Sequence, residues 1–519
     1  MKNISNNAPL PIVWTIAASD SGGGAGVQAD IKTLFDLGAH ACSAITGITA
    51  QNSQGVHHID ICSDDIFEKQ LLALAQDLPP VAIKIGVLLS VSQVRIVTNV
   101  IRSLKKVCVV FDPVLAPTAG LNFVTAETRN AFNQLLPLID LLTPNIPEAE
   151  ILSGLTINDK TSQSAAAQYF IHNGVKSVLI KGGHGTVNNT GDSSQEYCQD
   201  FFMSATQQFW LAQEKQNTPH SHGTGCTLSS AVAAFVAQGK ALCDAVVLAN
   251  AYVSKGLRLA VTFDEAGHKR GAVGQTAWPN NLSDFPQVSL QPEAIAQKAF
   301  PSCDTQRLGL YPVVDSLDWL SKLCAEGVKT LQLRVKDKSA AELDALVKEA
   351  VAIGKQYNAR LFINDYWQLA IKHDAYGVHL GQEDMVDADV DAMRAAGLHL
   401  GISTHSEYEF ACAATFKPSY LAIGAIFPTD TKEVVEVGLD NLYRWADIVD
   451  GHYPLVAIGG IHLPNIQSVL QSGVGSIAVV SAITKADDYV NAVQQLTEII
   501  RETFALKMIL LSDTKSRRP

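Results

Sequence analysis

The 519-residue chain carries 39 basic and 51 acidic side chains, a formal charge of −12, and is 47% hydrophobic and 17% charged. That length exceeds one ordinary core and predicts at least two domains, while the acidic balance argues against nonspecific nucleic-acid binding, which needs clustered cations to meet phosphates. No apolar run nears the roughly 18 residues of a membrane span, and residues 1–7 carry neither an apolar signal core nor an Arg-rich pattern, so the expectation is a cytoplasmic protein with no membrane and no nucleic acid among its partners.

Short apolar runs at 13–17, 43–48, 81–85, 107–111, 139–142 and 178–180 alternate with helical periodicity, the pattern of buried parallel strands in an α/β fold. Directly after the first run, "AASDSGGGAGVQADIKT" sets Gly22, Gly23, Gly24 and Gly26 at a predicted helix start, where backbone can approach a ligand closely. Taken alone the stretch is equally a tight structural turn. It is neither a Walker A loop, lacking Lys-Ser or Lys-Thr after the glycines, nor a dinucleotide G-x-G-x-x-G.

Further along, "SHGTGCTLSS" places Gly223, Thr224, Gly225 and Cys226 where small residues give way to an apolar helical stretch. Amides at a helix start can cradle phosphate, and the same partial positive charge favours thiolate at Cys226, making it a candidate base. A small cysteine packed under the helix is the other reading of the motif by itself. The nine cysteines are odd in number, scattered and free of C-x-x-C pairs, which predicts reduced thiols rather than a disulfide framework or a zinc site.

In order over residues 12–275, "AASDSGGGAGVQAD", "TAQNSQGV", "IKIGV", "FDPV", "TPNIPEAE", "IKGGH" and "HGTGCTLS" resemble the hydroxymethylpyrimidine/phosphomethylpyrimidine kinases of the ribokinase-like group. The resemblance implies a ribokinase-like α/β/α sandwich that uses ATP and Mg²⁺ to phosphorylate the pyrimidine alcohol and then its monophosphate. By position it implies Cys226 as base toward the substrate hydroxyl, with the Gly223–Gly225 backbone as an anion hole. It also implies Asp30, Gln51 and Val87 in the pyrimidine site, Asn145 and Glu148 near Mg²⁺ and phosphate, with Glu148 acting through water, and Lys181 and Thr224 on the nucleotide side. Ala18 and Val87 depart from the Gly and Met common in the family, which predicts a reshaped pyrimidine pocket.

After Gly274, "QTAWPNNLSDFPQVSLQPEAIAQ" is rich in Pro, Asn and Ser and predicts a linker over 276–305 between a first domain ending at 275 and a second beginning at 306. Beyond it, strand-like runs recur at 309–314, 330–333, 360–363, 376–378, 399–402, 420–424, 455–458 and 476–480, each followed by chain enough for a helix. Eight such units predict a C-terminal (β/α)8 TIM barrel over 306–505, with 506–519 as a tail. Arg334, Lys336, Asn364, Asp365, His379, Asp384, Ser403, Thr429, Thr431, Lys432, Gly459, Gly460 and Ser481 fall at or just after strand ends, the catalytic rim of such a barrel. Asp365 and Asp384 are candidate Mg²⁺ ligands or, alternatively, members of surface salt bridges.

Residues 308–485 resemble thiamine-phosphate synthase through "LYPVVD", "LQLRVKD", "FINDYWQLA", "GVHLGQED", "GISTHS", "IGAIFPTDTKE", "VAIGGI" and "IAVVSAI". The implied reaction displaces pyrophosphate from the pyrimidine methylene by a thiazole nitrogen. Ionising that carbon–oxygen bond calls for cations and Mg²⁺ on the leaving group. Arg334, Lys336, Asn364 and Lys432 suit the pyrophosphate clamp, and Asp365 and Asp384 the metal. Thr429 and Thr431, on a predicted lid, with Gly459, Gly460 and Ser481, suit the thiazole phosphate; Gln332 and His379 match pyrimidine contacts, and Ser403 and Val480 are further substrate-binding candidates. The expected partners are therefore small molecules: ATP, the pyrimidine and its phosphates, and thiazole phosphate, with a homo-oligomer open.

Overall fold

The apolar runs form strands because each is too short for a helix and has no polar face to leave in water. The computed structural model describes residues 9–52, 55–115, 123–183, 187–188, 196–263, 271–292, 298–429 and 436–515, with side chains through 505. The chain divides into two units, Met1–Pro279 with Ser283–Ala296, and Gln297–Pro519 with Asn280–Leu282.

In the first unit the strands are β1 (Ile12–Asp20), β2 (His40–Asn52), β3 (Gly55–Ile61), β4 (Ala82–Ile85), β5 (Cys108–Phe111), β6 (Leu141–Leu142), β7 (Ser177–Ile180), β8 (Val187–Asn188), β9 (Glu196–Ser204), β10 (Gln208–Glu214) and β11 (Gln287–Ser289). They form one sheet in the order β11-β10-β9-β7-β6-β5-β4-β1-β2-β3, with β8 beside β9. The predicted strands make its parallel centre, from β2 through β1, β4, β5 and β6 to β7. The antiparallel β9–β10 hairpin was not predicted: its turn, Ala205-Thr206-Gln207, has no Asn-Gly or Gly signal. Aromatic pairs across the two strands hold it instead, with Phe202 stacked on Phe209 and Phe201 tilted on Trp210 at 4.6 and 4.3 Å.

The predicted linker over 276–305 is corrected. Pro and Asn break periodicity without preventing burial, and much of the segment is bound to one unit or the other. On the first unit, β11 pairs with β10, and Asp284, 1% exposed, holds Arg258 with both oxygens at 2.7 and 2.9 Å. Lys255 Nζ donates to the carbonyls of Thr276 and Trp278, and Trp278 packs edge-on against Phe235. On the second unit, Ser419 Oγ donates to the Pro301 carbonyl at 2.6 Å, the Phe300 amide donates to Lys417, and Cys303 lies in the hydrophobic core. A first unit cut at residue 275 therefore loses an edge strand and leaves Arg258 and Lys255 without these partners. Its melting temperature should fall by roughly 10 °C relative to one ending at 296, measured by calorimetry; equal values would place the segment outside the fold.

The second unit is a closed barrel of β12 (Gly309–Val314), β13 (Thr330–Leu333), β14 (Arg360–Asn364), β15 (Gly377–Leu380), β16 (His399–Thr404), β17 (Tyr420–Ile423), β18 (Leu455–Ala457) and β19 (Ser476–Val479), all parallel. The predicted tail from 506 is corrected as well: the last helix, Tyr489–Lys515, runs through it, a stretch of good helix formers with no Gly or Pro. Among the described residues no helix is long and apolar enough to cross a membrane.

Candidate active sites

The strand ends of the first unit open on a cleft of about 540 Å³. The two glycine motifs meet there, since Gly223, at φ 84°, sits so close to Gly24 that a Cβ would land on the Gly24 carbonyl oxygen. The first motif is not a free anion cradle. Asp20 accepts from the amides of Gly22, Gly24 and Ala25 at 2.8, 3.1 and 2.8 Å and lies 3.2 Å from His222 Nε2. Burial opposes its charge, but His222 and those amides hold Asp20 below the usual carboxylate range. The second motif starts the helix Thr224–Ala237 with no side-chain cap; the Thr224 amide donates back to the Ser221 carbonyl at 3.4 Å, while Gly225 and Cys226, whose amides have no helical partner, line the cleft. Gly223→Ala, which needs both the left-handed φ and the space of the Gly24 carbonyl, should cut phosphorylation at least about 100-fold in an ATP-consumption assay while sparing the barrel.

Gln51, Val87, Asn145, Glu148, Lys181, Thr224 and Cys226 all line this cleft. Val87 and Ala18, the two departures noted in the sequence, belong to one small apolar cluster with Leu89. Thr224 spends its hydroxyl on the Ser221 carbonyl at 2.6 Å. Asn145 and Glu148 form a reciprocal capping box at the start of the helix Ile146–Ser153, at 2.9 and 2.8 Å, so they are a helix cap as well as a cleft wall. Lys181, just after β7, bonds Asp112, just after β5, at 2.7 Å. A Cβ on Gly225 would stand 3.1 Å from that carboxylate and 3.2 Å from the Lys181 ammonium, so the glycine lets the ion pair approach the helix start.

Asp30 is a correction. It is fully buried and off the cleft wall, accepting from Thr15, Ser230 and Lys84 Nζ, the last at 2.8 and 2.9 Å. What lines the cleft is Lys84, which Asp30 and Asp112 hold above its usual range against the cost of burial. Sequence reasoning quoted "IKIGV" and "FDPV" but passed over Lys84 and Asp112, whose signal was a charge at the end of an apolar strand. It missed Asp200, Gln213 and Asn250 too, which sit on the unpredicted hairpin and on a helix without a motif.

The ionisation of Cys226 is the second correction. Burial pushes the thiol up to about 11, and although Lys84 and the Gly26 amide pull it down, Asp30 and Asp112 push it further up. The helix start does not outweigh burial and two nearby carboxylates, and the free protein holds a thiol at neutral pH.

At the C-terminal ends of the barrel strands, a second cleft of about 310 Å³ is lined by Gln332, Arg334, Lys336, Asn364, Asp365, His379 and Asp384. Ser403, Thr429, Gly459, Gly460, Val480 and Ser481 line it as well. Thr431 and Lys432 lie outside the described residues. Glu383 and His405 also face the cleft and were not predicted, although "GISTHS" contains the histidine; Glu409 accepts from His405 Nδ1 at 2.7 Å.

Residues 20–273 match the family model for phosphomethylpyrimidine kinase and residues 310–483 that for thiamine monophosphate synthase. The thiamine-phosphate synthase of Cronobacter sakazakii is 56% identical over 195 residues, 37% of this chain and 92% of that protein. The chain belongs to the thiamine-phosphate synthase family. The synthase of Yersinia pestis is 55% identical over 208 residues, 40% of this chain and 96% of that one. A solved phosphomethylpyrimidine kinase from Clostridium difficile is 33% identical, covering 46% of this chain and 94% of its own, with a TM-score of 0.39; pyridoxal kinase from Staphylococcus aureus is 29% identical, covering 54% and 98%, with a TM-score of 0.47.

A kinase domain thus precedes the synthase domain in one bifunctional enzyme of thiamine biosynthesis. It phosphorylates 4-amino-5-hydroxymethyl-2-methylpyrimidine and its phosphate to the pyrophosphate, then condenses that with thiazole phosphate into thiamine phosphate and pyrophosphate. In the synthase domain Asp365 takes a left-handed φ of 66°, uncommon for a residue other than glycine, and turns its carboxyl toward Asp384. Burial and the Asp384 carboxylate push Asp365 up to about 6 against Arg334 and Lys336. In the kinase domain, burial and Asp112 likewise raise Glu148 to about 7 against Lys181.

Proposed function

We propose that the two clefts divide the phosphate chemistry, the first attaching phosphoryl groups at the Gly223–Cys226 helix start and the second releasing pyrophosphate at Arg334 and Lys336. The observation that carries this reading is the lining of each cleft, a helix start with Lys84 and Lys181 in one and the strand-end cations Arg334 and Lys336 with two aspartates in the other.

In the kinase cleft the pyrimidine lies against Ala18 and Val87, with Gln51 at its amino edge. Phosphoryl transfer is mostly positioning and charge stabilisation: the amides of Gly225 and Cys226 receive the transferring group, and Lys84 and Lys181 supply fixed positive charge, with Asp30 behind Lys84 as its anchor. Because the transition state is loose, the hydroxyl proton leaves late, and Cys226 accepts it once bound ligands change the local charge. The neutral thiol of the free protein favours a second reading, in which Asp112 takes that proton.

In the synthase cleft Arg334, Lys336, Asn364 and Lys432 hold the departing pyrophosphate. Gly459, Gly460, Val480 and Ser481, with Thr429 and Thr431, hold the thiazole phosphate, and Gln332, His379 and Ser403 hold the pyrimidine away from water. Asp365 with Asp384, and Glu148 near Asp112, fit Mg²⁺. They are hard oxygen donors, and burial and a neighbouring acid oppose the ionisation of Asp365 and Glu148, which a bound cation would favour. Bound there, Mg²⁺ would neutralise phosphate charge.

We place the activity in the cytoplasm, with ATP as phosphoryl donor. A one-pot assay of the full chain with the pyrimidine alcohol, ATP, Mg²⁺ and thiazole phosphate should consume two ATP for each thiamine phosphate. Preferential phosphorylation of pyridoxal, or product without that stoichiometry, would overturn the reading.

A further inference from the structure

Below the floor of the synthase cleft the barrel is filled by an aromatic layer that includes Tyr311 of β12, Phe362 of β14 and Tyr420 of β17. Both tyrosines are buried, at 1% and 0% exposure, and neither lines the cleft. Their hydroxyls meet at 2.8 Å, and Tyr420 Oη lies 2.7 Å from His379 Nδ1. His379 Nε2 lies 2.8 Å from Ser403 Oγ, and Gln332 Nε2 donates to Tyr311 Oη at 3.4 Å. The chain of hydrogen bonds thus starts at one cleft residue, Gln332, dips through the core, and surfaces at another, Ser403. Gly401 makes room for it, since a Cβ there would fall inside the Tyr420 ring.

Phenylalanine would fill the same layer without the cost of burying two hydroxyls, so the hydroxyls call for a use. We propose that Tyr311 and Tyr420 are positioning residues that fix the donor and acceptor polarity of the cleft wall and thereby select an aminopyrimidine over its 4-oxo counterpart. This rests on the reading above that Gln332 and Ser403 face the pyrimidine.

The sense of the chain follows from the Gln332 amide donating to Tyr311 and from then using every buried O–H. Gln332 gives its amide hydrogen to Tyr311, Tyr311 donates to Tyr420, and Tyr420 donates to His379 Nδ1. His379 then carries its proton on Nε2 and donates it to Ser403, whose own hydroxyl hydrogen is left for the cleft. At the other end, Gln332 has turned its nitrogen to the tyrosines and keeps its carbonyl oxygen for the ligand. Burial holds both phenols well above their usual range, so they stay protonated.

The wall therefore offers an acceptor and a donor. An aminopyrimidine edge presents an exocyclic N–H donor beside a ring-nitrogen acceptor and satisfies both. The 4-oxo ring presents C=O beside N–H, and each group meets its own kind. Rejection on these grounds is strong because a polar site is left unpaired. With the chain cut, His379 can move its proton to Nδ1 and the Gln332 amide can turn over, and the wall then accepts either edge.

The test uses the full chain, with the 4-oxo pyrimidine pyrophosphate as inhibitor of condensation. Its inhibition constant should exceed the KM of the 4-amino substrate at least about 100-fold in the parent, and that ratio should drop about tenfold in Tyr420→Phe and in Tyr311→Phe. Independently, the ¹⁵N spectrum of the parent should show His379 protonated on Nε2, its signal assigned by loss in His379→Gln, and Tyr420→Phe should move that proton. A parent spectrum with the proton on Nδ1, or a ratio and tautomer unchanged in both tyrosine variants, overturns the proposal. Gln332→Ala and Ser403→Ala should each raise the KM of the 4-amino substrate about tenfold; if neither does, the fault lies in the reading on which the proposal rests, and it falls with it.

Discussion

Asp365→Asn should stop condensation while leaving phosphorylation intact, so that pyrimidine pyrophosphate accumulates when the enzyme is given the alcohol, ATP, Mg²⁺ and thiazole phosphate. Asparagine tolerates the φ of 66° at this position, so the backbone just after β14 stays in place and the change is confined to one oxygen and its charge. Losing one such group from a charge-stabilising site should slow condensation roughly 100- to 1,000-fold. The pH dependence has a defined sign. Asp365 is raised to about 6, so the ionised form prevails above that pH, and condensation should fall about tenfold per unit as pH drops below it. The asparagine variant should lose that dependence. Chromatography of the pyrophosphate ester and of thiamine phosphate across pH reads both outcomes; an equal loss in the two half-reactions would instead mean a folding defect.

The synthase cleft was legible because a TIM barrel converts sequence position directly into spatial position. A polar residue just past an apolar strand, such as Arg334 or Asp384, has no choice but to join the same rim. The kinase cleft was only partly legible, since its groups come from loops that approach each other through glycine contacts. The sequence motif could not separate Lys84, which faces the cleft, from Asp30, which lies behind it: both are charges in apolar surroundings, and only packing assigns the front one. The Cys226 thiol was misjudged for a related reason. The helix start is visible in "GTGC", but Asp30 and Asp112 arrive from distant parts of the chain, and their charge and the burial around the sulfur reverse the expected shift. Composition misread the segment after residue 275 because proline and asparagine describe what the backbone cannot do, not what Asp284, Trp278 and Cys303 bury.

Cys226→Ala should stall the enzyme before the pyrophosphate ester, yet leave condensation unchanged when the ester is supplied. The deletion removes the proposed proton acceptor without touching the amides of the helix start, so a loss of about 10²- to 10⁴-fold in phosphorylation is expected, the range of general-base catalysis. Because the free thiol titrates only near 11, the rate at low concentrations of both substrates should keep rising about tenfold per pH unit beyond pH 8, while kcat, which reports the liganded enzyme, bends at a lower pH. Both features should vanish in the alanine variant. Alkylation of Cys226 in the free protein, followed by peptide mapping, should show the same climb toward pH 11 and very slow labelling at pH 7, where only about one molecule in 10⁴ holds thiolate. Should Cys226→Ala keep the parent pH profile with a loss below tenfold, the sulfur is not the acceptor. Asp112→Asn would then be the variant that loses phosphorylation, and the cysteine would be a space-filling side chain under a phosphate-binding helix start.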